Sequence, residues 1–472
     1  MEEMTREEKK IGGLLDRIQG DKVIWMIVLL LILISIVTVF TSTPLLAKEG
    51  NTTRFAILSE HLKIVAMGLG IIVGIYAIKK EKSNKIFQFF SQMGFGVSLL
   101  LLAFVFFKIG AVPGNPNAGW PVRAAEVNDS WRVIKFFSFQ IHIFEIVKVA
   151  MVMYLAWAVN AFKEDSFKLV RLLNKNGRWE WIETTFAKKL VYLYIPIILT
   201  ALLMLNGGVS STVMYLGMMV LILIVGGVDI KEIVGLLILL GLYIGLGLVV
   251  YKTTGLKIIP DRVTSVSAST RGGNINKKLR EFEALTKETD KMAYLKEKKI
   301  EQPVSALLAI KEGGFFGRGI GRSSQKYKVP VMYGDYVFSF IIEETGIWGA
   351  LIIIILYISL LARGSRITKK CTDYYSKCTM AGLIVMITTQ AFMHMAYNVH
   401  LLPQTGQTLP LISHGASSFL CFCVAFGVIL SISRQAHDEM KDDEMKAKPI
   451  IAADDDVQNG LNELDNFESY EI

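Results

Sequence analysis

Long apolar runs recur along this 472-residue chain and constrain its fold more than any other feature. Runs of about 18 residues or more are long enough to cross the hydrocarbon core of a bilayer. The first run, Val23 to Phe40, is followed by no small-residue cleavage site, so we interpret it as a retained helix and not as a signal peptide. The sequence therefore predicts an all-α polytopic membrane protein.

About ten transmembrane helices are predicted, with the N- and C-termini in the cytoplasm. Clusters of Lys and Arg follow the second, fourth and eighth spans, and the positive-inside rule places all three clusters in the cytoplasm. The predicted spans are roughly 23–42, 60–78, 87–108, a fourth from Ile143, then 190–205, 210–227, 231–250, 336–362, 379–398 and 416–433. We divide the chain into a cytoplasmic segment (1–22), a transmembrane domain (23–433) and an acidic cytoplasmic tail (434–472) that is too polar to pack.

One large extracytoplasmic loop, 251–332, is predicted between helices 7 and 8. The loop is strongly basic, which conflicts with the positive-inside rule for a loop outside the cytoplasm. Long loops, however, translocate with little regard to their charge. A positively charged loop outside the cytoplasm suits an anionic substrate at the outer leaflet. The net charge of +9 is typical of a membrane protein with basic loops, and we expect no nucleic-acid partner.

The end of this loop is rich in glycine and in basic side chains. Five glycines lie between Gly313 and Gly321, close to Arg318 and Lys326. Glycines let the backbone approach a ligand closely, and the basic side chains suit a phosphate or pyrophosphate, although such loops are also common as solvated connectors. The following apolar helix carries Glu343 and Glu344, and Asp335 lies just before it. All three are functional candidates, because ionisable groups are costly at membrane depth.

A second set of polar residues precedes and enters the fourth span: Trp131, Arg132, Glu145 and Lys148. Glu145 and Lys148 are three residues apart, so a helix places them on one face. Both a structural ion pair and direct ligand contact fit this spacing.

The segment from Asn398 to Ser418 combines two prolines with Gly406, Gly415 and small polar residues. Such a loop can re-enter the membrane where it lines a cavity in the protein. His400 and His414 lack a third ligand at useful spacing, so we predict hydrogen-bonding roles for them and no protein metal site.

Three motifs in order resemble the SEDS family, which comprises the FtsW, RodA and SpoVE proteins: GGFFGRGIGRSSQK, DYVFSFIIEETG and LLPQTGQTLPLISHGASS. TLPLIS has the form typical of the FtsW subgroup, and the resemblance covers nearly the whole chain apart from the tail. It implies a peptidoglycan glycosyltransferase in the bacterial cytoplasmic (inner) membrane, at the division septum. Such an enzyme polymerises lipid II, an undecaprenyl-pyrophosphate-linked disaccharide pentapeptide, and releases undecaprenyl pyrophosphate.

The resemblance also implies partners and a cofactor. The expected partners are a class B penicillin-binding transpeptidase and other divisome membrane proteins. A divalent cation, Mg²⁺ or Mn²⁺, is the candidate cofactor, and no organic cofactor is expected.

Site residues follow from the same resemblance. The family's catalytic aspartate lies in an Asp-Pro pair before a glutamine, and this chain has no such pair before Gln302. Asp290 is the nearest aspartate upstream and Glu297 is the second candidate for the catalytic base. The predicted substrate-binding residues are Arg262, Gln302, Lys326, Asp335, Glu343, Glu344, Ser413 and Gly415, together with Trp131, Arg132, Glu145 and Lys148, which match a family region more loosely.

Two other functions remain as alternatives, a lipid II flippase or transporter and a non-catalytic scaffold for a transpeptidase. The basic outer loop favours chemistry outside, whereas a flippase also needs a substrate site open to the cytoplasm. The sequence shows no internal repeat of the kind that many transporters carry.

Overall fold

The computed structural model describes residues 19–112, 115–127, 130–137, 139–167, 184–205, 207–238, 241, 281–282, 284–285, 301–327, 333–402 and 406–438. Most of the predicted outer loop and all of the tail from residue 439 lie outside these ranges. Both candidates for the catalytic base, Asp290 and Glu297, lie outside them as well, as does Arg262.

Helices make up most of the described chain. They are α1 (Lys22–Ser42), α2 (Pro44–Glu49), α3 (Arg54–Tyr76), α4 (Lys80–Phe106), α5 (Ile143–Glu164), α6 (Thr185–Leu205, with a π-helical turn at Leu190–Tyr194), α7 (Val209–Val225), α8 (230–238), α9 (Glu301–Gly313), α10 (Val337–Lys370), α11 (Tyr374–Asn398) and α12 (Ala416–Asp438). A 3₁₀ turn spans Gln325–Tyr327.

Among the described residues, eight helices are long and apolar enough to cross a membrane, namely α1, α3, α4, α5, α6, α10, α11 and α12. The shorter apolar helix α7 coincides with the sixth predicted span. The seventh predicted span, 231–250, falls mostly outside the described residues, so the count of ten and the orientation stay predictions. The chain is an integral membrane protein.

Helix α5 lies at the centre of the bundle. It packs against α4, α11 and α7, and it is buried over nearly its whole length. A helix that is surrounded in this way can carry polar side chains, because neighbouring helices and not lipid supply their partners. The buried residues of α5 include both Glu145 and Lys148.

The mostly helical chain also contains five short strands, which lie between the third and fourth predicted spans. Strands β1 (Ala111–Val112) and β2 (Asn115–Gly119) pair antiparallel, and β3 (Val122–Val127), β4 (Ser130–Phe136) and β5 (Phe139–His142) form an antiparallel meander. Strand β5 runs directly into α5, and His142 pairs in register with Val133 on β4. The meander therefore holds Arg132 close to the first turn of α5.

Helix α10 is kinked at Gly346, which has φ 70° and ψ −163°. A kink of this kind releases backbone carbonyls of the preceding turn from their helical partners. The carbonyls of Glu343 and Glu344 instead accept hydrogen bonds from the amides of Arg318 and Gly319, each at 2.9 Å. The glycine-rich segment is thus attached to α10 through its backbone.

Candidate functional site

Four polar side chains from four different elements meet at one cavity, which has about 420 Å³ of empty space when the open solvent at its mouth is included. Arg132 comes from β4, Glu145 from the first turn of α5, Asp335 from the turn before α10, and Gln407 from the segment before α12. Three of these residues, Arg132, Glu145 and Asp335, were singled out in the sequence. The structure therefore brings together residues that lie about 200 positions apart.

The turn that carries Asp335 is fixed by hydrogen bonds to its backbone. The Asp335 carbonyl accepts from the Tyr397 hydroxyl and from Nδ2 of Asn398. The Gly334 carbonyl accepts from Oγ of Ser413 at 2.9 Å, and the same Oγ accepts from the amide of Leu409 at 2.8 Å. Ser413, a predicted substrate-binding residue, thus holds the Asp335 turn against the loop.

Electrostatics around Asp335 act in opposite directions. Burial raises the pKa of the Asp335 carboxyl, and the guanidinium of Arg132 partly offsets that rise. Burial lowers the pKa of His142 on the cavity wall, and the same guanidinium lowers it further. Arg132 is thus the cation that lines the cavity.

Arg132 is seated against Gly406. Its Nη1 donates to the Gly406 carbonyl at 3.3 Å. Gly406 has φ +61°, and a Cβ at this position would lie 3.0 Å from Nη1. Glycine is required here both by the left-handed backbone and by the approach of the guanidinium.

Lys148 lies beneath the cavity and is 2% exposed. Its ammonium contacts Glu145 Oε2 at 2.8 Å, Gln390 Oε1 at 2.6 Å and Gln407 Oε1 at 2.7 Å. These three acceptors match the three N–H donors of a lysine. All three N–H donors of Lys148 therefore have acceptors within the protein, and Lys148 is a positioning residue for Glu145 and Gln407.

A row of polar residues on α11 completes this network, and our reading of the sequence missed it. Gln390, His394 and Asn398 recur every four residues, which places them on one helix face. The Gln407 carbonyl accepts from His394 Nδ1 at 2.8 Å, while Gln390 Nε2 donates to the Thr408 carbonyl at 3.1 Å. Polar spacing of i, i+4, i+8 in an apolar helix was the signal that could have identified them.

A second cluster forms where the glycine-rich segment meets α10. Glu343 is fully buried, and its carboxylate accepts from Oγ of Ser323 at 2.6 Å and from the amides of Ser324 and Gln325 at 2.6 Å and 3.3 Å. Glu344 accepts from the amide of Gly321 at 2.8 Å. Buried carboxylates require such donors, so both acids organise the segment.

The basic side chains of the glycine-rich segment differ in their environment. Lys326 is 2% exposed and donates to the Gly321 carbonyl, and Arg318 pairs with Glu312. Arg322 is exposed and forms no ion pair within the described part of the chain. Arg322 is thus an exposed cation of this segment.

The remaining predicted residues do not line the cavity. Trp131 has the ammonium of Lys108 4.9 Å from its ring centroid, and Gln302 is half-buried in the first turn of α9. Gly415 precedes α12, and a Cβ there would meet only the Ser418 Cβ, at 3.8 Å. Glu343 is eight residues beyond Asp335, roughly 12 Å along a helix axis, so the predicted residues form two clusters.

The sequence matches the family model for the cell cycle proteins FtsW, RodA and SpoVE over residues 21–438. It is 28% identical over 442 residues to a probable peptidoglycan glycosyltransferase FtsW from Xanthomonas oryzae pv. oryzae, covering 92% of this chain and 77% of that protein. A shorter match to the stage V sporulation protein E of Bacillus subtilis is 38% identical over 134 residues, which is 28% of this chain and 37% of that protein.

Two solved structures share the fold. One is described as the structural coordination of polymerization and crosslinking by a peptidoglycan synthase complex, with a TM-score of 0.57 and 17% identity over 88% of this chain and 98% of that chain. The other is the rod shape determining protein RodA of Thermus thermophilus, with a TM-score of 0.52 and 18% identity over 88% and 97% of the two chains.

Proposed function

Because the chain belongs to the FtsW, RodA and SpoVE family of cell cycle proteins, we propose that it is a peptidoglycan glycosyltransferase that polymerises lipid II. In this reaction a sugar hydroxyl of the acceptor attacks the anomeric carbon of the donor. The new glycosidic C–O bond forms as the C–O bond to the pyrophosphate breaks. Undecaprenyl pyrophosphate leaves, and a general base takes the hydroxyl proton.

The meeting of Arg132 and Asp335 at one cavity is the observation that carries this proposal. A guanidinium binds phosphate oxygens through paired N–H groups and stabilises the charge that develops on a leaving pyrophosphate. The Asp335 carboxylate accepts hydrogen bonds from sugar hydroxyls. Arg132 donates to the Gly406 carbonyl, and the backbone carbonyl of Asp335 accepts from Asn398 Nδ2, which is the preorganisation that such stabilisation requires.

The catalytic base is assigned to the outer loop. Asp290 is our first candidate and Glu297 the second, as the carboxylate that removes the acceptor proton. Gln302 lies in the first turn of α9, a helix within this predicted loop, and His400 Nε2 lies 3.1 Å from the neighbouring Pro303 carbonyl. That contact fixes the start of α9 close to the end of α11.

The cavity suits a divalent cation that the protein and the substrate would hold jointly. Within the described residues no group of three or more His, Cys, Asp or Glu side chains gathers to form a protein cage. Mg²⁺ commonly binds through one or two carboxylates together with substrate phosphate oxygens, and Asp335 would supply the carboxylate. When bound, Mg²⁺ or Mn²⁺ would neutralise charge on the leaving pyrophosphate.

We place the enzyme in the inner membrane at the division septum, working with a class B penicillin-binding transpeptidase and other divisome membrane proteins. The FtsW names of the relatives and the similarity to a peptidoglycan synthase complex support this placement. The transpeptidase would crosslink the strands that this protein extends.

The decisive experiment is lipid II polymerisation by the purified full-length protein with its transpeptidase partner. Arg132→Gln and Asp335→Asn should lower glycan yield at least tenfold, as should Asp290→Ala or Glu297→Ala, whichever removes the base. Arg123→Gln is the matched control, because Arg123 lies on the neighbouring strand β3 and donates to the Trp120 carbonyl at 3.1 Å outside the cavity.

The same preparation separates the alternatives. Transport of fluorescent lipid II across liposomes without glycan product would support a flippase. Partner binding with neither activity would support a scaffold. Full polymerisation by all four variants would overturn the assignment of the site.

A further inference from the structure

A second pocket lies at the far end of α5 from the cavity, roughly 27 Å away along the helix axis. It has about 690 Å³ of empty space when the open solvent at its mouth is included, and it forms where α5, α6, α7 and α11 come together. Val159, Phe162 and Leu193 give it an apolar wall, and Lys163, Lys189 and Tyr374 give it a polar rim. The positive-inside rule predicts this end of the helices as cytoplasmic.

The two lysines of the rim are not equivalent. Lys189 is neutralised by Glu232, whose two carboxylate oxygens lie 2.7 and 2.9 Å from its ammonium. The Tyr194 hydroxyl donates to the same carboxylate at 2.6 Å and holds it in place. Lys189 therefore provides donors and shape to the pocket but little net charge.

Lys163 keeps its charge. Its ammonium lies 4.2 Å from the ring centroid of Tyr374, and no carboxylate pairs with it in the described ranges. Tyr374 is itself fixed, because its hydroxyl donates to the Gly226 carbonyl at 3.1 Å. The rim thus presents one uncompensated positive charge above an apolar wall.

We propose that this pocket binds the phosphate of an anionic lipid from the leaflet at that end, with an acyl chain along the apolar wall. A single net positive charge matches the single negative charge of a phosphodiester. Basic pockets between transmembrane helices on the cytoplasmic side bind anionic headgroups in this manner. The lipid would hold four helices together, independently of the glycosyltransferase reaction.

Native mass spectrometry of the full-length protein in detergent tests the proposal, with phosphatidylglycerol and phosphatidylcholine as probes. Phosphatidylglycerol should bind at least fivefold more tightly than phosphatidylcholine. Lys163→Gln should weaken phosphatidylglycerol binding about fivefold, the effect of one lysine at a membrane surface, and Lys163→Glu should weaken it further. Lys163 is exposed, so these variants keep the fold.

Lys188→Gln is the matched control, since Lys188 lies on the same surface but pairs with Asp165 at 2.9 Å and is not part of the pocket. It should leave binding unchanged. Equal binding of the two lipids, or an equal loss in Lys163→Gln and Lys188→Gln, would overturn the site. Displacement of bound lipid by millimolar inorganic phosphate would overturn the lipid as its ligand and assign a soluble phosphate instead.

Discussion

The ammonium of Lys148 lies 2.8 Å from the carboxylate of Glu145, one turn earlier on the same buried helix. Two amide oxygens, from Gln390 and Gln407, accept the remaining protons of that ammonium. The pair thus links α5, α11 and the segment before α12 under the cavity.

Replacing Lys148 with Met should destabilise the protein by roughly 3–5 kcal/mol, because Glu145 would remain buried without its cation. Thermal unfolding of the purified protein in detergent measures the loss. Lys188→Met is the control, since it breaks a pair whose Asp165 side chain is 72% exposed and should cost less than about 1 kcal/mol. The double variant Glu145→Gln/Lys148→Met should recover part of the stability. Equal effects of the two lysine substitutions would contradict a structural role for the buried pair.

Gly406→Ala should displace the Arg132 side chain. The new Cβ would lie 3.0 Å from Nη1 on a backbone with φ +61°, so the guanidinium must shift and the loop is strained by about 1–2 kcal/mol. We expect at least a tenfold loss of polymerisation. Gly217→Ala, on α7 with no atom within 4 Å of the added Cβ, should keep both activity and stability. Wild-type activity in Gly406→Ala would separate Arg132 from the reaction.

Gly415→Ala distinguishes substrate contact from a structural requirement. The protein leaves room for a Cβ here, so the thermal midpoint should stay within about 2 °C of wild type. If substrate packs against Gly415, as the family resemblance implies, the apparent KM for lipid II should rise several-fold. An unchanged KM would remove Gly415 from the substrate-binding set.

Arg132→Gln should move the acidic limb of the pH–rate profile to higher pH. Burial raises the pKa of Asp335 and Arg132 opposes the rise, so loss of the guanidinium raises that pKa further. A required carboxylate then becomes protonated, and activity is lost, at a higher pH as the pH falls. Arg132→Lys keeps the positive charge and should retain most of the wild-type limb. Superimposable limbs for wild type and Arg132→Gln would show that Asp335 does not control the rate.

Glu343→Gln should loosen the glycine-rich segment. The carboxylate accepts from Ser323, Ser324 and Gln325, and a neutral amide would accept these bonds more weakly and bring its own buried donors, at a cost of about 1–3 kcal/mol. Hydrogen exchange of the amides of residues 318–325 should become faster. Glu312→Gln is the comparison, because Glu312 accepts from Arg318, Ser324 and Gln325 of the same segment but is partly exposed, so water can replace those bonds and exchange should rise less. Unchanged exchange in Glu343→Gln would show that the glycine-rich segment is attached to α10 by the backbone hydrogen bonds alone.

Much of the helical framework could be predicted from the sequence, because membrane spans are read from length and hydrophobicity without knowledge of contacts. Glu145 and Lys148 could also be found from local sequence, because a spacing of three residues places both side chains on one helix face. Gln407 could not be found in this way. Its partners Lys148 and Ser211 are set by how α5, α7 and α12 pack, which no local pattern records.

The strands of 111–142 were missed because they are short, and their pairing depends on tight turns between neighbours more than on composition. The glycine-rich segment was predicted from its own composition as a ligand loop. The structure shows that its amides and Lys326 are largely engaged with α10 and with the segment itself. These contacts depend on Glu343, Glu344 and the kink at Gly346 together, so the composition of the segment alone does not reveal them.

The pairing of Glu145 with Lys148 also bears on how the protein is made. Ribosomes synthesise α5 well before Gln390 and Gln407, which follow Lys148 by 242 and 259 residues. During that interval a lone lysine in the bilayer would cost roughly 2.5–3.5 kcal/mol on insertion scales. A neighbouring carboxylate on the same helix neutralises it at once. The helix can therefore enter the membrane as a neutral unit and await its later partners.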